Sequence, residues 1–151
     1  MVNTLKQQIA QQAAGRQAGL LMVSFTNKIF KEKAMDLQQI MEQKSFVVVG
    51  DTLNPEKFAC KIKNAMTEAG YRVQCVGKEL GSINEAEGDI DIIDLCINPK
   101  KGLQLMKDCK KRYKCVVLQP GAFDDELVAY LKDKKIPYIE GCLLVGLRLY
   151  K

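Results

Sequence analysis

A chain of 151 residues has room for one compact domain and an appendage, and 47% hydrophobic with 27% charged residues is ordinary for a soluble globular protein. The net charge of +5 suits an anionic ligand but is too mild to imply nucleic acid, and the one short basic cluster, Lys110-Lys111-Arg112, reads as a solvated face. The chain has no histidine, which removes the usual general base, the usual zinc ligand and every Cys-His or Ser-His pair. Catalysis would need a strongly shifted Lys, Tyr, Asp, Glu or Cys, and no spacing demands one. A binding module rather than an enzyme is expected. The six cysteines form no CxxC pair, so neither a zinc ribbon nor a thioredoxin-type site is expected. No secretory signal or membrane-spanning stretch is read, so reduced thiols in the cytoplasm are expected.

Residues 1–44 read as a helical extension. Asn3 or Thr4 can cap a helix carrying Leu5, Ile9 and Ala13, and a second stretch carries Leu21, Phe25 and Ile29, then Leu37, Ile40 and Met41. Such an arm is expected to pack on the domain, on a second copy as a homodimer or on a partner protein, with a membrane-surface helix as an alternative. No acidic residue precedes Glu32, while Lys6, Arg16 and Lys28 are basic. A cleavable presequence for the mitochondrial matrix or a related organelle therefore stays open.

From Ser45 the pattern is strand, loop, helix, repeated. Phe46-Val47-Val48-Val49 is a short apolar run of the kind covered on both faces, and Gly50 ends it. Asn54-Pro55 reads as an N-cap followed by proline at the first helical position, opening a helix with Phe58, Ile62, Ala65, Met66 and Ala69 on one stripe and Gly70 at its end. Tyr71 to Val76 is the second strand, and Gly77 to Gly88 a loop with at most a turn or two. Ile90 to Ile97 is the third strand, and Asn98-Pro99 repeats the cap-and-proline device. Cys115 to Gln119 is the fourth strand, followed by a helix capped by Asp124. Ile136 to Ile139 is the fifth strand, and Leu143 to Leu149 an apolar segment of open type. Strands alternating with helices predict an α/β fold, a doubly wound, Rossmann-like parallel sheet over residues 45–151.

In such sheets ligands lie beyond the carboxyl ends of the strands. The loops there supply Gly50, Thr52, Leu53, Asn54, Pro55 and Lys57 after the first strand and Gly77 and Lys78 after the second. Asn98 and Pro99 follow the third, and Gln119, Pro120 and Gly121 the fourth. The first loop is neither G-x-G-x-x-G nor a Walker A loop, so a dinucleotide pressed on bare glycine backbone is disfavoured. What remains is a helix N-terminus with free N–H groups, the Thr52 hydroxyl and the Lys57 ammonium, which together can hold a phosphate. Lys78 suits a ribose phosphate, while Glu79 keeps open the acidic partner of a ribose hydroxyl that an NAD site uses.

Val47-Val48-Val49-Gly50, Thr52, Asn54-Pro55 and Lys57 resemble the opening of the small stand-alone CoA-binding proteins, which are similar to the N-terminal domain of the succinyl-CoA synthetase α subunit. The resemblance continues through Gly70-Tyr71-Arg72-Val73, Asp91-Ile92-Ile93-Asp94-Leu95, Pro99, Gln119-Pro120-Gly121 and Gly141-Cys142-Leu143-Leu144-Val145. It implies about five parallel strands in the order 3-2-1-4-5. Coenzyme A or an acyl-CoA would lie across their ends, with its phosphates near Gly50 to Lys57 and no catalysis. The chain departs from the pattern at Asp51, whose carboxylate at close range to a phosphate costs binding energy unless it turns outward. An NAD(H)-binding redox sensor, or an interaction protein with a vestigial nucleotide site, are the competing readings.

Overall fold

The structure is a computed structural model that describes residues 35–151. The first-helix part of the expected arm and most of the second therefore lie outside the described residues. In chain order the elements are α1 (Leu37–Met41), β1 (Ser45–Gly50), α2 (Phe58–Glu68), β2 (Arg72–Gly77), a single 3-10 turn (Ile83–Glu85) and β3 (Ile92–Leu95). They continue with α3 (Pro99–Asp108), β4 (Cys115–Leu118), α4 (Asp125–Asp133), β5 (Tyr138–Glu140) and α5 (Leu143–Tyr150). The open segment after β5 is thus a helix.

All five strands are parallel, and alternate side chains of β1 explain the layers. Phe46 and Val48 join Ile40, Ile62, Met66 and Leu143 from α1, α2 and α5 on one face. Val47 and Val49 join Leu103, Met106, Leu127 and Leu131 from α3 and α4 on the other. Every residue of β1 is buried, as an apolar run covered on both faces requires.

The strand order is β2-β1-β3-β4-β5, not the 3-2-1-4-5 expected from the resemblance. The burial patterns give the reason. All four residues of β3 are buried, which suits a place between β1 and β4, whereas β2 carries the polar Arg72 and Gln74 and suits an edge. Those two side chains hold the return segment, since Arg72 and Gln74 both donate to the carbonyl of Glu87, at 2.6 and 2.8 Å. The chain therefore crosses from the edge back past β1, and the order reverses between β1 and β3. That is where a doubly wound sheet opens its crevice.

The start of α2 also differs from expectation. Asn54 caps a turn rather than the helix: its carbonyl accepts from Lys57 N at 2.9 Å and its side chain from Glu56 N at 2.9 Å. Lys57 then takes an extended backbone (φ −91°, ψ 145°), which resets the helix to begin at Phe58. The second cap-and-proline pair behaves as read, because Asn98 Oδ1 accepts from Lys100 N and Pro99 is the first residue of α3. Asp124 likewise caps α4 through Leu127 N.

Residues 35–44 belong to the packed unit rather than to an arm that ends at residue 44. Ile40 and Met41 are core residues, Tyr71 donates its hydroxyl to the Met41 carbonyl at 2.6 Å, and a β-carbon on Gly146 of α5 would lie 2.6 Å from Met41 Sδ. The compact unit begins at Ala34. Among the described residues no helix is long and apolar enough to cross a membrane.

Candidate functional site

Three strand ends converge where the order reverses. Gly50 pairs with Gly77, and Cys96 N donates to the carbonyl of Val49 at 2.8 Å. A β-carbon on Gly50 would run into the Cys96 carbonyl, and one on Gly77 would lie 2.6 Å from the Gly50 carbonyl. Only hydrogen fits at either position, so bare backbone floors the crevice.

Two cavities open above this floor, each inside the roughly 300–1,000 Å³ range of small-molecule sites. One of about 340 Å³ is lined by residues of the first loop and start of α2 (Asp51, Lys57, Phe58, Ala59), of the β3 end (Cys96, Ile97, Asn98) and of the turn after β4 (Pro120, Gly121, Ala122). The other, about 380 Å³, lies on the β2 side and includes Gly50, Asp51, Gly77, Lys78, Ile97, Lys101 and Gln104. Asp51 and Ile97 line both. The two cavities thus adjoin, and together they reach from the end of β2 to the end of β4. Lys57, Lys78 and Lys101 line them against the single carboxylate of Asp51.

The donors of the first loop are distributed in a way the sequence does not reveal. Asp51 Oδ1 accepts from the amides of both Leu53 and Asn54, each at 3.2 Å. Those two N–H groups are therefore occupied by the chain's own carboxylate. Thr52 is buried, and its hydroxyl donates to Glu79 Oε2 at 2.5 Å, away from any open ligand. Lys63 Nζ reaches the same oxygen at 3.2 Å, and the Thr52 and Lys63 hydrogen bonds hold the Glu79 carboxyl below its ordinary range. The open donors lie one turn further on. Lys57 supplies no side-chain cap to α2, and among the described residues nothing accepts from the amides of Phe58 and Ala59. Both residues line the 340 Å³ cavity, beside Lys57. The N-terminus of an 11-residue helix concentrates positive potential there.

Of the residues expected to form a site, Gly50, Lys57, Gly77, Lys78, Asn98, Pro120 and Gly121 line the two cavities. Leu53, Asn54, Pro55 and Pro99 shape the adjoining turns without lining them. Thr52 and Gln119 are buried with their polar groups engaged elsewhere. The residues not anticipated include Phe58, Ala59, Gly81, Cys96, Ile97, Lys101, Gln104 and Leu105. The last three were legible in principle, because positions 97, 101, 104 and 105 share one face at helical spacing.

Beneath the site lies a buried carboxyl. Asp94 of β3 is fully buried, with Oδ1 accepting from Gln119 Nε2 at 2.6 Å and Oδ2 without any partner. Desolvation pushes it up to about 7, against the lowering effect of Gln119, so the neutral acid is its favoured form below neutrality. Cys96 is likewise pushed up by burial, to about 12, with the Asp94 charge adding to the effect. It is therefore a thiol rather than a thiolate where it lines the cavity.

An adjoining pair of cavities over a glycine floor, rimmed by lysines, lies at the reversal point of a doubly wound sheet, where α/β domains of this class place their ligands. A family model described as CoA binding domain matches residues 44–148, and the chain belongs to that family. Among solved structures, a conserved hypothetical protein from Pyrococcus furiosus is similar at 26% identity, with a TM-score of 0.61 over 68% of this chain and 98% of that one. A hypothetical protein from Pyrococcus horikoshii OT3 has a TM-score of 0.67 at 19% identity, over 82% of this chain and 100% of its own. A protein from Thermus thermophilus reaches 0.60 at 20% identity, over 78% and 100%. No curated protein matches the chain.

Proposed function

We propose that this chain binds coenzyme A or an acyl-CoA across the ends of β1 to β4 and carries out no chemistry on it. The observation that carries the reading is the pair of unoccupied amides at Phe58 and Ala59, which open with Lys57 on to one cavity of a CoA-binding family member. Those groups suit the diphosphate. Lys78 and Lys101, in the second cavity, suit the ribose 3′-phosphate, and the apolar walls given by Phe58, Ala59, Ile97 and Ala122 suit the uncharged remainder of the ligand. Glu79 is the acidic group that an NAD site would aim at a ribose hydroxyl. It is already held by Thr52 and Lys63, which favours CoA over a nicotinamide nucleotide.

Titration calorimetry with CoA, acetyl-CoA, 3′-dephospho-CoA and NAD(H) tests the reading. CoA is expected to bind and NAD(H) not to. Lys78→Met is expected to weaken CoA about ten-fold, equivalent to ~1.4 kcal/mol, while leaving 3′-dephospho-CoA unchanged. Absence of heat with every CoA species at about millimolar ligand, a level at which even weak binding of ~4 kcal/mol registers, would end it.

A further inference from the structure

Asp51 stands at the join of the two cavities and lines both. It is not a loosely solvated side chain. Its Oδ1 is tied to two successive backbone amides, Leu53 and Asn54, both at 3.2 Å, so its charge has a fixed position. No lysine or arginine among the described residues pairs with it, for the ion pairs made by Lys63, Lys100 and Lys114 go to Glu79, Asp124, Glu126 and Asp91. The cations nearest in the site, Lys57, Lys78 and Lys101, instead remain free to meet a ligand. A phosphate approaching Phe58 N and Ala59 N therefore enters a cavity whose wall holds a clamped carboxylate that makes no ion pair among the described residues, where partial burial weakens solvent screening.

We propose that Asp51 is a specificity-determining residue of this site: it sets the affinity for diphosphate-bearing ligands by charge, holding it well below what the amides and lysines would otherwise give. The proposal rests on the CoA reading above. Three consequences separate it from a merely structural role for the Asp51 turn. Asp51→Asn keeps an Oδ1 acceptor for Leu53 and Asn54 and removes only the charge. The gain in affinity should appear for both CoA and 3′-dephospho-CoA, because both carry the diphosphate. The gain should also shrink as salt rises, since charge repulsion is screened within about 3 Å at ~1 M ionic strength.

The experiment is calorimetry of the full-length chain and its Asp51→Asn variant with both ligands at low and high salt. Asp51→Ser, which keeps a short acceptor for the same turn without the charge, serves if the asparagine variant does not fold. The expected result is CoA and 3′-dephospho-CoA each binding roughly ten-fold tighter to the variant at low salt, with the difference falling several-fold at high salt. Equal or weaker binding by both variants overturns the proposal while leaving the CoA reading intact, and so does a gain that is indifferent to salt. No CoA binding by the parent chain or either variant overturns the CoA reading and the proposal together.

Discussion

Asp94 offers a measurement that this chain is unusually suited to. Its carboxyl is fully buried, one oxygen has no partner, and desolvation raises it from the ordinary 3.8 to about 7. Between those values the folded chain holds a proton that the unfolded chain has released, so stability falls as pH rises. Each pH unit in that interval removes about 1.4 kcal/mol. Stability from this residue is complete below the unfolded value and gone once pH has passed the folded one. From about pH 5 to about pH 7 the loss is on the order of 2 kcal/mol. The absence of histidine leaves this window clear of other side chains. Glu79 and Asp91, both held below their ordinary range, act in the opposite sense and only at lower pH. Urea unfolding of the parent chain and of Asp94→Asn across that window is the assay, with m required to stay constant. Asp94→Asn carries no charge at any pH, and its amide, like the protonated carboxyl it replaces, has no acceptor where Oδ2 lay. Its stability should stay level across the window while that of the parent falls. A parent that is level across the window, or an asparagine variant that keeps the slope, refutes the argument.

Other expectations follow from the packing. Gly50→Ala should cost at least the roughly 1–3 kcal/mol of an overpacked core, and also disturb the site, because the added methyl meets the Cys96 carbonyl. Thermal melting and CoA calorimetry read both effects, and a variant of parental stability would mean that the β1 and β3 ends separate freely. A chain beginning at residue 45 should lose much of its stability relative to one beginning at residue 34, as Ile40, Met41 and the Tyr71 bond go with the deletion. Ile40→Ala alone should cost about 2–5 kcal/mol, and a near-neutral result would show that α1 is not part of the core.

Much of the fold was legible because the apolar runs, caps and turn glycines agree with one another. Phe46 to Val49, Asn98-Pro99 and Asp124 each do locally what the sheet requires globally. The strand order was not legible from strand and helix signals, since they say which segments are strands and not which lie side by side. The polar Arg72 and Gln74 of β2 were the available sign of an edge. At the site, Gly50, Lys57, Gly77 and Lys78 follow a strand and were placed by the topology, and they line the cavities, whereas Lys101 was not anticipated. Thr52 and Asp51 could not be resolved, because whether a hydroxyl or carboxylate faces a ligand depends on one rotamer and one neighbour. Here those neighbours are Glu79 for the hydroxyl and the Leu53 and Asn54 amides for the carboxylate. The start of α2 was missed for a related reason: Asn-Pro signals a turn and a helix equally well.

The edge position of β2 has a bearing on how copies of this domain can meet. Leu80 folds back along its outer side, receiving Gly77 N on its carbonyl at 2.7 Å and donating to Cys75 at 3.1 Å. That short hook uses up the upper backbone of the strand, and Arg72 and Gln74 flank what is left. Too few free peptide groups remain there to recruit a foreign strand. Self-assembly that extended the sheet from this side would first have to peel Leu80 away.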